Sequence, residues 1–291
     1  MKIAYLASPV TLPGSPTRRP DAHEHDQTMD ALAPPLAAHG LTLEAISWDD
    51  PAADWAEYGA AVIGTTWDYW DRAAVFLSQL EAISSRTRLF NPVPLVRWNG
   101  HKGYLRDLEA LGAHLIPTVW LDQATPDAVA GAFETLGTDE IVLKRQVGAG
   151  AVGQYRLKRT DPVPALPLPM MAQPYLDAIE AEGELSLIFI DGALSHGLVK
   201  RPARGDYRIQ SSYGGTEAPY QPGPDDLAAA QIALSALSEP PLYARVDLLR
   251  DRDGTARLME LELIEPFLYP LQGPELGPRF ASALVRRLET Q

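Results

Sequence analysis

The sequence predicts an α/β unit at the N-terminus followed by an α+β remainder. Three observations carry this. Strand and helix patterns alternate through residues 1–95. A glycine-rich loop at Gly148–Gly153 sits between two strand-like runs. From Met170 onward, short strands follow one another with turn signals between them.

Taken in order, Ile3–Ala7 is a short apolar run that reads as a strand. Asp26–His39 is helix-like but carries Pro34 and Pro35, which put its end in question. Leu43–Trp48 and Ala60–Thr66 read as strands and Arg72–Ser84 as a helix, so a parallel sheet with crossover helices is expected. Asn91-Pro92-Val93-Pro94 punctuates the chain and marks a boundary near residue 95. Asn99 can cap a helix running to Leu111. Pro117–Leu121 reads as strand, Pro126–Leu136 as helix, Glu140–Arg145 and Tyr155–Arg159 as strands, and the proline-rich Asp161–Pro169 as a connector. Met170–Leu176, Glu184–Ile190, Leu194–Lys200 and Tyr207–Ser211 follow as strands, with the hairpin signal Asp191-Gly192 between the second and third. A helix over Pro224–Leu237, a strand pair Tyr243–Arg250 and Ala256–Ile264, and a helix over Gly277–Leu288 complete the pattern.

The 291 residues are long enough for two domains or one elaborate one, and they carry a formal charge of −13. That balance argues against a broad nucleic-acid footprint, which needs clustered positive charge. With no cysteine, disulfides, thiolate zinc sites, iron–sulfur clusters and cysteine nucleophiles are excluded. No apolar run approaches the ~18 residues of a membrane span, so a cytoplasmic protein is expected. Of the 25 basic residues only five are lysine: Lys2, Lys102, Lys144, Lys158 and Lys200.

The most informative cluster is Tyr243-Ala-Arg-Val-Asp-Leu-Leu with Leu258-Met-Glu-Leu-Glu-Leu-Ile-Glu-Pro. If Asp253-Gly254 forms a two-residue turn, Asp247 faces Glu260 and Arg245 faces Glu262, all four on one face of a hairpin. Like charges directly opposite each other destabilise a sheet. A hard divalent cation removes that cost, and Mg²⁺ is commonly held by a few carboxylates together with substrate phosphates. The alternative is a solvated polar face with one Arg245–Glu262 ion pair.

Gly148-Ala-Gly-Ala-Val-Gly fits the G-x-G-x-x-G pattern literally. A dinucleotide-binding turn requires a helix after the glycines, however, and Tyr155-Arg-Leu-Lys-Arg reads as a strand. A loop joining two antiparallel strands and covering phosphates with its backbone N–H groups fits better. A plain flexible loop is the competing reading.

With these parts in place, the chain resembles the ATP-grasp superfamily over nearly its whole length. Trp98-Asn-Gly-His-Lys102 followed by Tyr104-Leu105 resembles the first lysine motif, and Ile141-Val-Leu-Lys144 with Gly148–Gly153 the second lysine and lid loop. Ala172-Gln-Pro-Tyr-Leu176 resembles the hinge strand that meets adenine, and Gly183-Glu184 the segment whose acid binds ribose. Lys200-Arg201, Gly205-Asp-Tyr-Arg208 and Gly214-Gly215 resemble the phosphate and substrate segment of bacterial glutathione synthetase and of glutamate ligases acting on a ribosomal protein. Arg245-Val-Asp247 and Glu260-Leu-Glu262 resemble the Mg²⁺ motif. Two departures stand out. Glu262 occupies a position more often asparagine, and Gly64-Thr-Thr-Trp-Asp-Tyr69 begins with glycine where closer relatives carry arginine. Those relatives include amino-acid cyclo-ligases.

The resemblance implies an ATP-grasp fold with a Rossmann-like N-terminal pre-domain at residues 1–95, a lid subdomain at 96–170 and an antiparallel C-terminal subdomain at 171–291. It implies ATP and Mg²⁺ as cofactors and a ligase that joins or cyclises a carboxylate and an amine through an acyl phosphate. The expected partner is a small amino acid or peptide, without nucleic acid or membrane, in a chain that can form a homo-oligomer. Nucleotide contacts fall to Lys102, Lys144, Gly148, Gly150, Gln173, Pro174, Tyr175, Leu176, Glu184 and Lys200, and metal contacts to Asp247, Glu260 and Glu262. Arg208 and Arg245 are the candidate catalytic arginines; Trp67, Asp68, Arg204, Gly214 and Gly215 are the candidate substrate contacts. A small-molecule kinase and a nucleotide-binding protein without ligase chemistry are the alternatives. His23-Glu-His-Asp26 reads as an exposed polar turn, and His196 as a core residue.

Overall fold

A computed structural model describes residues 1–164 and 166–290; Ala165, in the proline-rich connector, and Gln291 lie outside the described residues. Three sheets make the frame.

The first sheet is parallel. β1 (Lys2–Ala7) lies between β2 (Thr42–Ser47) and β3 (Ala60–Ile63), and β4 (Arg88–Phe90) pairs with β3, giving the order β2-β1-β3-β4. The crossovers are α1 (His23–Ala38), between β1 and β2, and α2 (Ala73–Ser84), between β3 and β4. α1 continues through Pro34 and Pro35. Pro34 is on the exposed face, where water satisfies the carbonyl it leaves unpaired, while Leu32 and Leu36 hold the opposite face in the core.

The helix expected from Asn99 to Leu111 is instead two short helices, α3 (Val93–Asn99) and α4 (Tyr104–Ala110). Asn99 ends the first rather than capping a longer one. Its amide donates to the Leu261 carbonyl at 2.7 Å and accepts from the Leu263 N–H at 3.0 Å. Asn91 behaves alike, donating to the carbonyls of Tyr243 and Leu263 and accepting from the Leu242 N–H. The segment read as a boundary is therefore riveted to the C-terminal strands.

The next sheet is antiparallel, in the order β5-β8-β6-β7. It comprises β5 (Val119–Leu121), β6 (Glu140–Arg145), β7 (Tyr155–Lys158) and β8 (Met170–Pro174), with α5 (Pro126–Leu136) packed on it. The glycine loop joins β6 directly to β7, and no helix opens after it. That removes the dinucleotide reading.

After the short α6 (Ala178–Ala181), the largest sheet contains β9 (Glu184–Ile190), β10 (Ala193–Arg201) and β11 (Thr216–Tyr220). α7 (Pro224–Ser235), β12 (Tyr243–Arg250), β13 (Ala256–Glu262) and α8 (Leu276–Glu289) follow. The order is β11-β10-β9-β12-β13, all antiparallel. The strand expected at Tyr207–Ser211 is absent, and the edge strand is β11 instead. The Asp206 carboxylate accepts from the N–H groups of Tyr207 (2.7 Å) and Arg208 (2.9 Å), which bends the chain and withdraws those groups from a ladder.

The last helix returns to the first sheet. Leu276, Phe280, Ala281 and Leu284 of α8 share a core with Ile3, Leu32, Leu36 and Val62. Gly277 permits this, since a Cβ there would collide with the Ala31 carbonyl of α1. Among the described residues, no helix is long and apolar enough to cross a membrane.

Candidate active site

The carboxylate hairpin supplies Arg245, Asp247, Glu260 and Glu262 to the cleft. β12 and β13 pair Arg245 with Glu262 and Asp247 with Glu260, as expected, but by another route. The turn is longer than two residues: Arg250 pairs with Ala256, leaving Asp251–Thr255 between the strands. Met259 is then an extra, unpaired residue, and this bulge restores the register at the functional end. It also brings Met259 to the wall of the cleft beside Leu249.

Around the hairpin, cations and carboxylates are interleaved. Arg245 is buried and bridges Asp247 (3.0 Å) and Glu262, with a further bond to the Phe267 carbonyl. Lys200 on β10 is buried between Glu184 and Asp247. Lys102 binds Glu260 at 2.8 Å and donates to the Gly148 carbonyl at 2.7 Å, tying the lid loop to the hairpin. Burial opposes charge on Asp247, but Arg245 and Lys200 outweigh it and hold the carboxyl at about 2. Glu184 and Glu262 are pushed up to about 7 by burial, against the pull of Lys200 and Arg245 respectively. Burial lowers the Lys144 ammonium, and no carboxylate among the described residues lies in ion-pair contact with it.

One end of the cleft is apolar. Ile116, Val142, Tyr175, Leu176, Ile179 and Leu249 form a slot beside the backbone leaving β8. A flat heteroaromatic ring fits such a slot, with its edge on the main chain of 173–176. Gln173 there donates to Thr118 at 3.0 Å, while its buried carbonyl oxygen lacks a protein partner.

The opposite end is built by loops at the carboxyl ends of β1 and β3, where open parallel sheets bind ligands. Trp67 lines it and donates to the Glu265 carbonyl at 3.1 Å. Arg19 lies over the Trp67 ring, 5.6 Å from its centre, and makes a two-pronged pair with Asp21. Gly64 precedes this loop because the Tyr5 ring fills the space a Cβ would need.

Most of the expected residues converge on this one cleft: Trp67, Lys102, Lys144, Gly148, Gly150, Gln173, Pro174, Tyr175, Leu176, Glu184, Lys200, Arg208, Arg245, Asp247, Glu260 and Glu262. Four do not. Asp68 turns away to accept from the Trp48 indole (2.8 Å) and pair with Arg72 (2.7 Å). Arg204 is exposed on its loop. Gly214 and Gly215 shape the chain behind the cleft, where a Cβ on Gly215 would strike the Ile209 carbonyl. Sequence reasoning missed Glu24, Glu265 and Tyr269. Glu265 ends the same Glu-Leu-Glu-Leu-Ile-Glu run, so its signal was present. Glu24 belongs to the segment read as an exposed turn, yet it lines the cleft, and its neighbour His25 is buried against Thr65 at 2.6 Å. His196 is half-buried and bonds the Leu268 carbonyl. Tyr269 adopts a left-handed backbone (φ 50°), a strained conformation that concentrates at functional sites.

The donor set fits magnesium. Among the described residues, no three acidic or imidazole groups converge closely enough to hold an ion alone. Yet Glu184, Asp247, Glu260, Glu262 and Glu265 line the cleft together with Lys102, Lys144, Lys200 and Arg245. The donors are hard oxygens. Such a site holds Mg²⁺ when phosphate oxygens complete the shell.

Comparison with known proteins agrees. Residues 3–91 match the family described as D-cycloserine synthetase DcsG, N-terminal domain. The cycloserine biosynthesis protein DcsG of Streptomyces lavendulae is 32% identical over 284 residues, covering 91% of this chain and 95% of that protein. The crystal structure of D-cycloserine synthetase DcsG superposes with a TM-score of 0.85 at 29% identity, covering 99% of this chain and 100% of that one. D-alanine–D-alanine ligase from Bacillus anthracis, complexed with ATP, shares the fold at a TM-score of 0.68 and 15% identity, covering 100% of this chain and 97% of that one.

Proposed function

The chain belongs to the DcsG family of ATP-grasp ligases, and from that premise we propose that it closes a small ring by joining a carboxylate and a nitrogen of one amino-acid substrate. It is an ATP- and Mg²⁺-dependent ligase. The observation that supports the ATP and Mg²⁺ chemistry is the hairpin, three carboxylates on one face with Lys102 tying them to the glycine loop; the finer reading of ring closure is supported by the similarity to DcsG.

The apolar slot against residues 173–176 would take the adenine, Glu184 the ribose, and the backbone of Gly148–Gly153 the phosphates. Asp247, Glu260 and Glu262 would hold magnesium, which would supply positive charge to the phosphate oxygens. Lys102 and Lys144 add compact point charges at the γ-phosphate, where positioning and electrostatics provide most of the rate. Lys200 and Arg245 act through the carboxylates they bind. Arg208, held by Asp206 at 2.7 Å and stacked on Tyr213, orients the substrate carboxylate.

The carboxylate oxygen attacks the γ-phosphorus, the bond to the β-phosphate oxygen breaks, and ADP leaves. The substrate nitrogen then attacks the acyl carbon. A C–N bond forms, the C–O bond to phosphate breaks, and the departing phosphate takes the nitrogen's proton. The DcsG relative is a cycloserine biosynthesis protein. The cycloserine ring is closed by one amide-type bond, which this sequence of steps makes. ATP supply places the reaction in the cytoplasm.

ADP release screened over free amino acids bearing a side-chain nitrogen tests this, with product mass as readout. Loss of water from the substrate is expected. A phosphorylated product would favour a kinase, and ADP release unchanged in Glu260→Gln would overturn the metal assignment.

A further inference from the structure

The acidic groups on the cleft walls are mostly matched. Asp21 is taken by Arg19, Glu260 by Lys102, Glu262 by Arg245, and Glu184 and Asp247 by Lys200. Glu265 is buried beside Glu262 within the field of Lys102, on the metal side. Glu24 differs. No basic side chain among the described residues lies in ion-pair contact with it, and its sole side-chain hydrogen bond is from Ser211, at 2.5 Å. Burial raises its carboxyl above the ordinary range, and Asp21 and Glu217 add negative potential around it, against the pull of Ser211 and His23. Lys144, in the same cleft, forms the other pole: among the described residues no carboxylate lies in ion-pair contact with it. A ligand that satisfies both poles is anionic at its reacting end and cationic beyond it.

We propose that Glu24 receives the ammonium group of the amino-acid substrate, so that the enzyme demands a free α-amino group. This rests on the ligase reading above. Both groups line one cleft, and Tyr269, with its strained left-handed backbone, lines it with them. An ammonium on Glu24 gains a charge-assisted hydrogen bond in a half-buried setting and relieves an uncompensated acid. An acylated nitrogen is neutral and bulky, and leaves that acid unmatched.

The probe is β-aminooxy-D-alanine, the acyclic amino acid obtained by opening the cycloserine ring, alongside its Nα-acetyl derivative and the amino acids of the screen. With wild type, Glu24→Gln and Ser211→Ala, ADP release is measured against substrate and against ATP. Glu24→Gln is expected to raise KM for the free amino acid roughly ten- to hundredfold, leaving KM for ATP and kcat within a few-fold. Ser211→Ala keeps the carboxylate and is expected to leave KM nearly unchanged. The acetyl derivative is expected to be a poor substrate for all three. Unchanged KM in Glu24→Gln, an equal effect in Ser211→Ala, or turnover confined to acids without a free amino group overturns the subsite while the ligase reading stands. No ADP release from wild type with any amino acid removes both.

Discussion

Lysine 102 does something an arginine cannot. Its single ammonium reaches a lid carbonyl at 2.7 Å and a hairpin carboxylate at 2.8 Å together. A planar guanidinium is wider and spreads its charge. Among the described residues Lys144 makes no ion pair, whereas Lys158 is exposed at the end of β7. Lys102→Arg and Lys144→Arg should each weaken ATP–Mg²⁺ binding roughly tenfold by calorimetry, and Lys158→Arg should not. Equal behaviour of all three would separate the lysines from phosphate binding. His25 gives a second prediction. Burial lowers its pKa, so the folded state takes up a proton less readily than the unfolded chain. Its stabilising contribution is complete above the unfolded value of about 6.5 and is lost as pH falls below it. Melting temperature should therefore fall further from pH 7.5 to 5.5 in wild type than in His25→Asn. Glu262, raised to about 7 by burial, works the other way in both proteins, so the difference between them is the readout.

At the scale of elements, polar side chains set the ends and the joints. Asp226, wholly buried in the first turn of α7, accepts from the Gly223 N–H (2.9 Å), Tyr220 (2.7 Å) and Arg250 (2.7 Å). Asp226→Ala strands all three donors, and chemical denaturation should report a loss of about 3 kcal/mol. Such joints explain what could be read in advance. Periodicity and turn residues found β12 and β13, because alternating Val246, Leu248, Leu261 and Leu263 mark a buried face. The facing pairs came out right although the turn did not, since the Met259 bulge adds back the residue that the longer turn removes. Asn91 and Asn99 read as a turn signal and a helix cap because both roles are local. Their actual partners lie more than 150 residues away, and spacing carries no trace of that. Tyr207–Ser211 has the composition of a strand, but Asp206 captures its first N–H groups. Glu24 looked solvent-exposed because charge spacing does not reveal which face of α1 turns inward.

At the scale of the whole molecule, α8 joins the two ends of the chain. Phe280 sits in one core with Ile3, Leu32, Ile188 and Tyr243, so the parallel sheet and the large antiparallel sheet share their interior. Phe280→Ala should cost about 3–5 kcal/mol, and the loss should appear in one transition sensed by Trp48 in the first unit. Two separate transitions in wild type would show that the units are independent.

That shared core also sets an order of events during synthesis. Domains generally fold as units, the N-terminal one first, while the rest of the chain is still being made. Here the first sheet cannot finish early. The helix that closes it, α8, follows every strand of the catalytic unit in the sequence, so β1 to β4 and the apolar face of α1 wait for that whole unit to be translated. A ribosome that stalls before Leu276 releases a chain with Ile3, Leu32, Leu36 and Val62 uncovered, and such surfaces are what chaperones bind.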